Sequence, residues 1–160
     1  MIKRVLNGSP IRSLGRIPST TVELAEIRVL VVDDDDTVRA TKVAPLRLNE
    51  FDVTEADGIE SALASLRKSQ CDVVVLDMHM PNRDGADDEA GLVVLREIAT
   101  WESRPSVIVF TVGVSKEHTR LARKLGAVVL SKARDIRKLP IQVCMGWSDR
   151  QESLLGREGA

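Results

Sequence analysis

One stretch of the chain reads Val73-Val74-Val75-Leu76-Asp77-Met78-His79-Met80-Pro81. Its first four residues are apolar and mostly β-branched, a composition typical of a strand buried on both faces of a parallel sheet. The acid Asp77 follows at the point where this strand ends. Because ligands of open parallel sheets collect at the carboxyl ends of the strands, Asp77 is a candidate functional residue.

Similar apolar runs recur on both sides of this stretch, separated by segments with helical patterns. This alternation of strands and helices predicts an α/β fold in which helices cover both faces of a parallel sheet. The run at residues 51–55 alternates apolar and polar residues, which indicates an edge strand. We predict five strands, at residues 27–32, 51–55, 72–76, 106–111 and 127–130.

Polar residues stand at the ends of four of the predicted strands. Asp33 and Asp34 follow the first, Asp77 follows the third, Thr111 ends the fourth, and Lys132 comes shortly after the fifth. Carboxylates held close together repel one another unless a cation is present, and ligation by oxygen atoms suits Mg²⁺. We therefore predict a Mg²⁺ site where a carboxylate oxygen of Asp77 attacks a phosphoryl group. The metal, Lys132 and the Thr111 hydroxyl would balance the charge.

From about Arg28 to Ala133 the chain resembles the receiver domain of two-component response regulators. Its motifs, in chain order, are Val29-Leu30-Val31-Val32-Asp33-Asp34, Val73 to Pro81 with Asp84-Gly85, Val107-Ile108-Val109-Phe110-Thr111, and Leu125-Gly126-Ala127 before Lys132. The resemblance implies a flavodoxin-like, doubly wound sheet of five parallel strands in the order 2-1-3-4-5. It also implies that a sensor histidine kinase or a histidine phosphotransfer protein donates the phosphoryl group.

The resemblance assigns roles in metal binding to four residues. Asp77 is the phosphoacceptor and a metal ligand, and Asp34 binds Mg²⁺ directly. Asp33 binds the ion through water. His79 contributes its backbone carbonyl, so its imidazole need not take part.

The same resemblance implies that two further residues contact the phosphoryl group. Thr111 is the switch hydroxyl, and Lys132 forms an ion pair with the phosphoryl group. Two positions depart from the family pattern: Val129 stands where an aromatic residue often moves on activation, and Ala133 stands where a proline is usual. Because of Val129, we expect the conformational change on phosphorylation to be smaller or to use a different residue. Because of Ala133, we expect the Lys132 side chain to extend to a slightly different point.

Composition excludes several other classes of protein. The chain has 160 residues and a net charge of -1, and it has no apolar run near the roughly 20 residues that cross a bilayer. We therefore expect no membrane insertion and no direct binding to nucleic acid. Its two cysteines form no disulfide framework, and no zinc-site spacing joins them to the two histidines. The expected location is the cytoplasm.

Three parts are expected along the chain: a flexible basic N-terminal extension over residues 1–26, a receiver domain over 27–145, and a disordered tail over 146–160. Residues 1–22 contain four basic residues and no acid, and an organellar transit peptide has a similar composition. Pro140 and Gly146 interrupt the last helical pattern, near Asp135. We expect the acidic insertion at residues 86–90 to face a partner or to act as a flexible flap.

The predicted function is that of a single-domain, stand-alone response regulator, phosphorylated on Asp77 with Mg²⁺. It would signal through contacts with an unknown downstream protein, and it would catalyse only its own phosphorylation and dephosphorylation. An alternative is a pseudo-receiver that acts as a phosphorylation-independent interaction module. A Mg²⁺-dependent phosphatase is disfavoured, because Asp77-Met78-His79 lacks the second acid of an Asp-x-Asp motif.

Overall fold

The structure is a computed structural model, and it describes residues 27–80, 90–113 and 115–158. The expected basic extension over residues 1–26 lies outside these ranges. So do residues 86–89 of the acidic insertion and the Asp84-Gly85 pair.

Five parallel strands form a single sheet in the order β2-β1-β3-β4-β5, which confirms the predicted fold. The strands are β1 (Arg28–Val32), β2 (Asp52–Ala56), β3 (Val73–Leu76), β4 (Ser106–Thr111) and β5 (Val128–Ser131). The alternating strand β2 lies at an edge, whereas the continuously apolar β3 is buried along its whole length in the centre.

Helices connect the strands and cover both faces of the sheet. They are α1 (Asp36–Leu48), α2 (Ile59–Lys68), α3 (Ala90–Ala99), α4 (Lys116–Lys124), the short α5 (Lys132–Asp135) and α6 (Leu139–Glu158), with a 3₁₀ turn at Ile136–Lys138 between the last two. Alternate strand residues point to opposite faces. Leu30 therefore packs in the core under α2, α3 and α4, whereas Val31 packs in the core under α1 and α6.

The last helix differs from the disordered tail expected over residues 146–160, because α6 continues to Glu158. Pro140 lies in the first turn, where backbone N–H groups have no partner within the helix, so it interrupts nothing. Gly146 lies against β4, and its carbonyl accepts a hydrogen bond of 2.5 Å from Ser106 Oγ. Further along, Arg150 Nη1 lies 3.1 Å from Asp72 Oδ1 at the buried start of β3. These contacts hold the helix on the sheet beyond Gly146.

Within the described ranges, no helix has the length and apolar character needed to cross a membrane.

Candidate functional site

Three aspartates meet at the carboxyl end of the sheet. Asp33 and Asp34 follow β1, and Asp77 follows the neighbouring strand β3. One carboxylate oxygen from each lies within 4.8 Å of the others. Asp33 and Asp77 are buried, whereas Asp34 is exposed. The predicted acidic residues are therefore brought together by the pairing of β1 with β3.

Backbone and side-chain hydrogen bonds hold Asp77 in place. Its N–H donates to the carbonyl of Val32 at 2.9 Å, continuing the ladder between β1 and β3. Its Oδ1 accepts from the backbone N–H of His79 at 3.3 Å. Its Oδ2 accepts from Lys132 Nζ at 2.5 Å. The two side-chain hydrogen bonds therefore fix the orientation of the Asp77 carboxylate.

Lys132 follows β5, an edge strand of the sheet, and its side chain extends toward the acidic residues after β1 and β3. Its ammonium donates to Asp77 Oδ2 at 2.5 Å and to Asp33 Oδ2 at 2.9 Å. Burial lowers the pKa of a lysine, but the hydrogen bonds and charges of Asp77 and Asp33 outweigh it, and the pKa of Lys132 lies above its usual value. Lys132 is therefore a charged partner of both acids.

The two acids after β1 differ in their electrostatic environment. Burial disfavours ionisation of Asp33, but hydrogen bonds from Lys42 and Lys132 outweigh it and lower the pKa of Asp33. Burial raises the pKa of Asp34, and the charges of Asp33 and Asp77 raise it further. Asp34 shares the repulsion among the three carboxylates, but no ammonium is bonded to it among the described residues. Of the three carboxylates, it is therefore the one that a bound cation stabilises most.

Thr111 ends β4, level with Ser131 at the end of β5. Its side chain is buried, and its Oγ1 has no hydrogen-bond partner among the residues that the structure describes. A buried hydroxyl without a partner is costly, so such a group points to a ligand that is still to be bound. Thr111 lies at the same end of the sheet as Asp77, at the end of the next strand.

Other predicted residues take less central positions. The backbone of His79 contacts Asp77, as described above. Asp35 caps α1 by accepting from the N–H of Val38 at 2.9 Å. Val129 is half-buried and packs on the core under α4. Ala133 lies exposed in α5, directly after Lys132.

One residue in this region was missed by the sequence analysis. Lys42 of α1 has a completely buried side chain, and its ammonium donates a short hydrogen bond to Asp33 Oδ2. Burial lowers the pKa of Lys42, and the hydrogen bond to Asp33 opposes this effect. The signal in the sequence is its spacing: Lys42 lies four residues from Val38 and four from Leu46, on the inward side of the helix.

Gly91 of α3 lies against the backbone of the candidate phosphoacceptor. A Cβ atom placed on Gly91 would lie 2.3 Å from the carbonyl oxygen of Asp77 and 2.7 Å from Cα of Met78. Both are backbone atoms of the segment that presents Asp77, so neither can move aside as a side chain would. The absence of a side chain at residue 91 therefore allows α3 to approach the site.

We predict that Gly91→Ala lowers the free energy of unfolding by about 1–3 kcal/mol, because the added methyl group overpacks this contact. Urea denaturation measures the change. Gly156→Ala is the matched control, since a Cβ at residue 156 meets nothing within 4 Å. An unchanged stability in Gly91→Ala would contradict the packing described here, especially as alanine is the better helix former.

The donor set fits a hard divalent cation. Three carboxylates offer only oxygen atoms, which suits Mg²⁺ and leaves positions for water and for a phosphoryl oxygen. The Thr111 hydroxyl, which has no hydrogen-bond partner among the described residues, and the Lys132 ammonium add one hydrogen-bond donor and one charge for such an oxygen. The acidic cluster is thus consistent with Mg²⁺ binding.

Comparison with known proteins identifies the class. A family model for the response regulator receiver domain matches residues 29–143. The transcriptional regulatory protein PrrA of Mycobacterium tuberculosis is 51% identical over 59 residues, which cover 36% of this chain and 25% of PrrA. The regulatory protein AtoC of Escherichia coli is 32% identical over 100 residues, which cover 62% of this chain and 20% of AtoC. The chain thus matches a quarter or less of the length of these relatives.

A solved structure shares both the fold and part of the sequence. The response regulator protein TrrA of Thermotoga maritima, solved in complex with Mg²⁺-BeF, aligns with a TM-score of 0.64 and 25% identity. The alignment covers 75% of this chain and 98% of that chain. With its strand order and the family match over most of its length, this chain belongs to the receiver domain family of two-component response regulators.

Proposed function

We propose that this protein is a phosphorylation switch in which Asp77 accepts a phosphoryl group with the help of Mg²⁺. The main support for this proposal is the position of the Asp77 carboxylate. The Asp77 carboxylate is bonded to Lys132 and lies within 4.8 Å of oxygens from Asp33 and Asp34. This arrangement supports the proposal, because three carboxylates and one ammonium meet at one point.

The transfer is a single displacement at phosphorus. A carboxylate oxygen of Asp77 forms the new O–P bond as the N–P bond of a phosphohistidine breaks, and the imidazole nitrogen leaves with the electron pair. Asp33, Asp34, Asp77 and the backbone carbonyl of His79 would hold Mg²⁺. When bound, the ion neutralises charge on the phosphoryl oxygens. Lys132 already bonds Asp77, so its ammonium is close to the charge that the new group brings.

Thr111 would report that the phosphoryl group is present. Its buried hydroxyl lacks a partner among the described residues, so a phosphoryl oxygen would supply the missing acceptor. Thr111 ends β4, which pairs with β5 in the sheet, and α4 packs against β5. A shift of Thr111 toward Asp77 would therefore change the surface formed by α4 and β5. Val129 in β5 is half-buried and smaller than an aromatic residue, so the proposed change is a modest one.

Partners and location follow from the same proposal. The phosphoryl donor would be a sensor histidine kinase or a histidine phosphotransfer protein in the cytoplasm, and the output would be a contact with another protein. The receiver domain would begin at residue 27. The stand-alone organisation expected from the sequence remains a prediction.

The TrrA complex supports the choice of metal, because that relative was solved with Mg²⁺-BeF and aligns over 75% of this chain. Incubation with acetyl phosphate tests the proposal. We expect a mass gain of one phosphoryl group in the presence of Mg²⁺ and no gain when EDTA removes the ion. Intact-protein mass spectrometry measures both. An equal gain with and without the metal would contradict the proposed site.

A second candidate function is a phosphorylation-independent interaction module. The observation that favours it is the pair of Lys42 with Asp33, which neutralises part of the acidic charge without a metal. Such a module need not bind Mg²⁺ or gain mass from acetyl phosphate, so the same experiment separates the two.

A further inference from the structure

Lys42 places a second ammonium inside the acidic site. Its side chain has no exposed surface, and its Nζ bonds Asp33 and lies 5.7 Å from the centre of the Phe110 ring. An unpaired charge would be very costly at such a depth, so the contact with Asp33 is what makes the buried lysine tolerable.

The carboxylate of Asp33 is heavily occupied as a result. Its Oδ1 accepts from the backbone N–H of Asp35 at 3.0 Å. Its Oδ2 accepts from both Lys42 and Lys132. A carboxylate oxygen offers about two lone-pair positions, so Lys42 and Lys132 fill those of Oδ2, and Asp33 would reach a metal or a bridging water only through the second position of Oδ1.

Charge follows the same pattern. Asp33, Asp34 and Asp77 contribute three negative charges when ionised, and Lys132 contributes one positive charge. Among these five described side chains, Lys42 changes the net charge from minus two to minus one. A divalent cation therefore meets a weaker attraction than the three aspartates alone suggest.

The two lysines are not equivalent. Lys132 has a side chain that is 16% exposed, and it bonds both Asp33 and Asp77. Lys42 is 0% exposed and is anchored between α1 and the sheet, with Asp33 as its ion-pair partner. Lys132 is therefore partly accessible to ligands, whereas Lys42 is enclosed beside Asp33.

We propose that Lys42 is a built-in counter-ion of Asp33 that lowers the affinity of the acidic site for Mg²⁺. This inference rests on the proposed function, because it concerns the same metal site. Its consequence is that the site tolerates the absence of the metal and needs a higher Mg²⁺ concentration to fill.

The test is Mg²⁺ titration by isothermal calorimetry on the full chain. Lys42→Met keeps the length and unbranched shape of the side chain but removes the charge, and Lys42→Gln keeps a hydrogen-bond donor. We expect each variant to bind Mg²⁺ about tenfold more tightly than the unmodified protein, since one positive charge next to a ligand is removed. Lys68→Met is the matched control, because Lys68 is exposed at the end of α2 and its loss changes the net charge equally.

The outcomes separate the two proposals. If the unmodified protein binds Mg²⁺ and the variants bind it with equal or lower affinity, the role of Lys42 is overturned and the metal site stands. If neither the unmodified protein nor any variant binds Mg²⁺, the metal site itself is overturned, and the role of Lys42 with it. An increase in Mg²⁺ affinity equal to that of Lys68→Met would also overturn the role of Lys42, because such an increase would reflect the change in net charge alone. If Lys42→Met does not fold, Lys42→Gln decides by the same comparison.

Discussion

We expect the substitution Asp77→Asn to abolish phosphoryl uptake from acetyl phosphate in the presence of Mg²⁺. An amide has no carboxylate oxygen with which to form an acyl phosphate, so the nucleophile is lost while the shape of the side chain is kept. Lys132 retains Asp33 as a partner in this variant, and the fold is therefore expected to survive. Intact-protein mass spectrometry gives the result directly.

A matched variant controls for the change in net charge that Asp77→Asn brings. Asp52→Asn removes one carboxylate at the start of β2, where the side chain is exposed at the opposite end of the sheet. It should take up a phosphoryl group as the unmodified protein does. Undiminished uptake in Asp77→Asn would show that another residue is the acceptor.

We expect Lys132→Met to slow phosphorylation of Asp77 by about a hundredfold or more, the usual cost of removing one group that stabilises charge in a transition state. Lys132 bonds Asp77 at 2.5 Å, so it is the described cation nearest to the reacting carboxylate. Asp33 keeps Lys42 as its partner, which limits the loss of stability. The initial rate of mass gain at saturating Mg²⁺ measures the effect.

Lys68→Met serves here too, since it makes the same chemical change at an exposed position on α2. Its rate should equal that of the unmodified protein. A rate in Lys132→Met within a factor of about two of this control would show that the ammonium does not contribute to the transfer.

The sheet and its acidic rim were predictable because they depend on local patterns. Continuous apolar runs such as Val73 to Leu76 indicate buried parallel strands, and the alternating run after Phe51 indicates the edge. Once the strands are parallel, the residues that follow them must share one end of the sheet. That rule places Asp33 and Asp77 at the same end of the sheet, and the pairing of β1 with β3, which the family resemblance implied, brings them close together.

Lys42 could not be predicted with the same ease. A lysine in a helix is usually exposed, and the pattern of α1 does not show what a buried ammonium would contact. Its partner Asp33 lies nine residues earlier, before the helix begins. The packing of α1 on the sheet is what joins them.

The second half of α6 was missed for a related reason. Proline and glycine interrupt helices in most contexts, so Pro140 and Gly146 argued for an early end. The contact that opposes this joins Arg150 to Asp72, which are 78 residues apart in the chain. Such a long-range ion pair leaves no trace in local periodicity.

Chemical trapping of the acyl phosphate would identify the phosphorylated residue directly. Borohydride reduces a phosphorylated aspartate to homoserine, and peptide mass spectrometry then locates the converted residue. After incubation with Mg²⁺ and acetyl phosphate, we expect homoserine at residue 77 and at no other aspartate. Homoserine at a different residue, or none at residue 77 despite a mass gain, would contradict it.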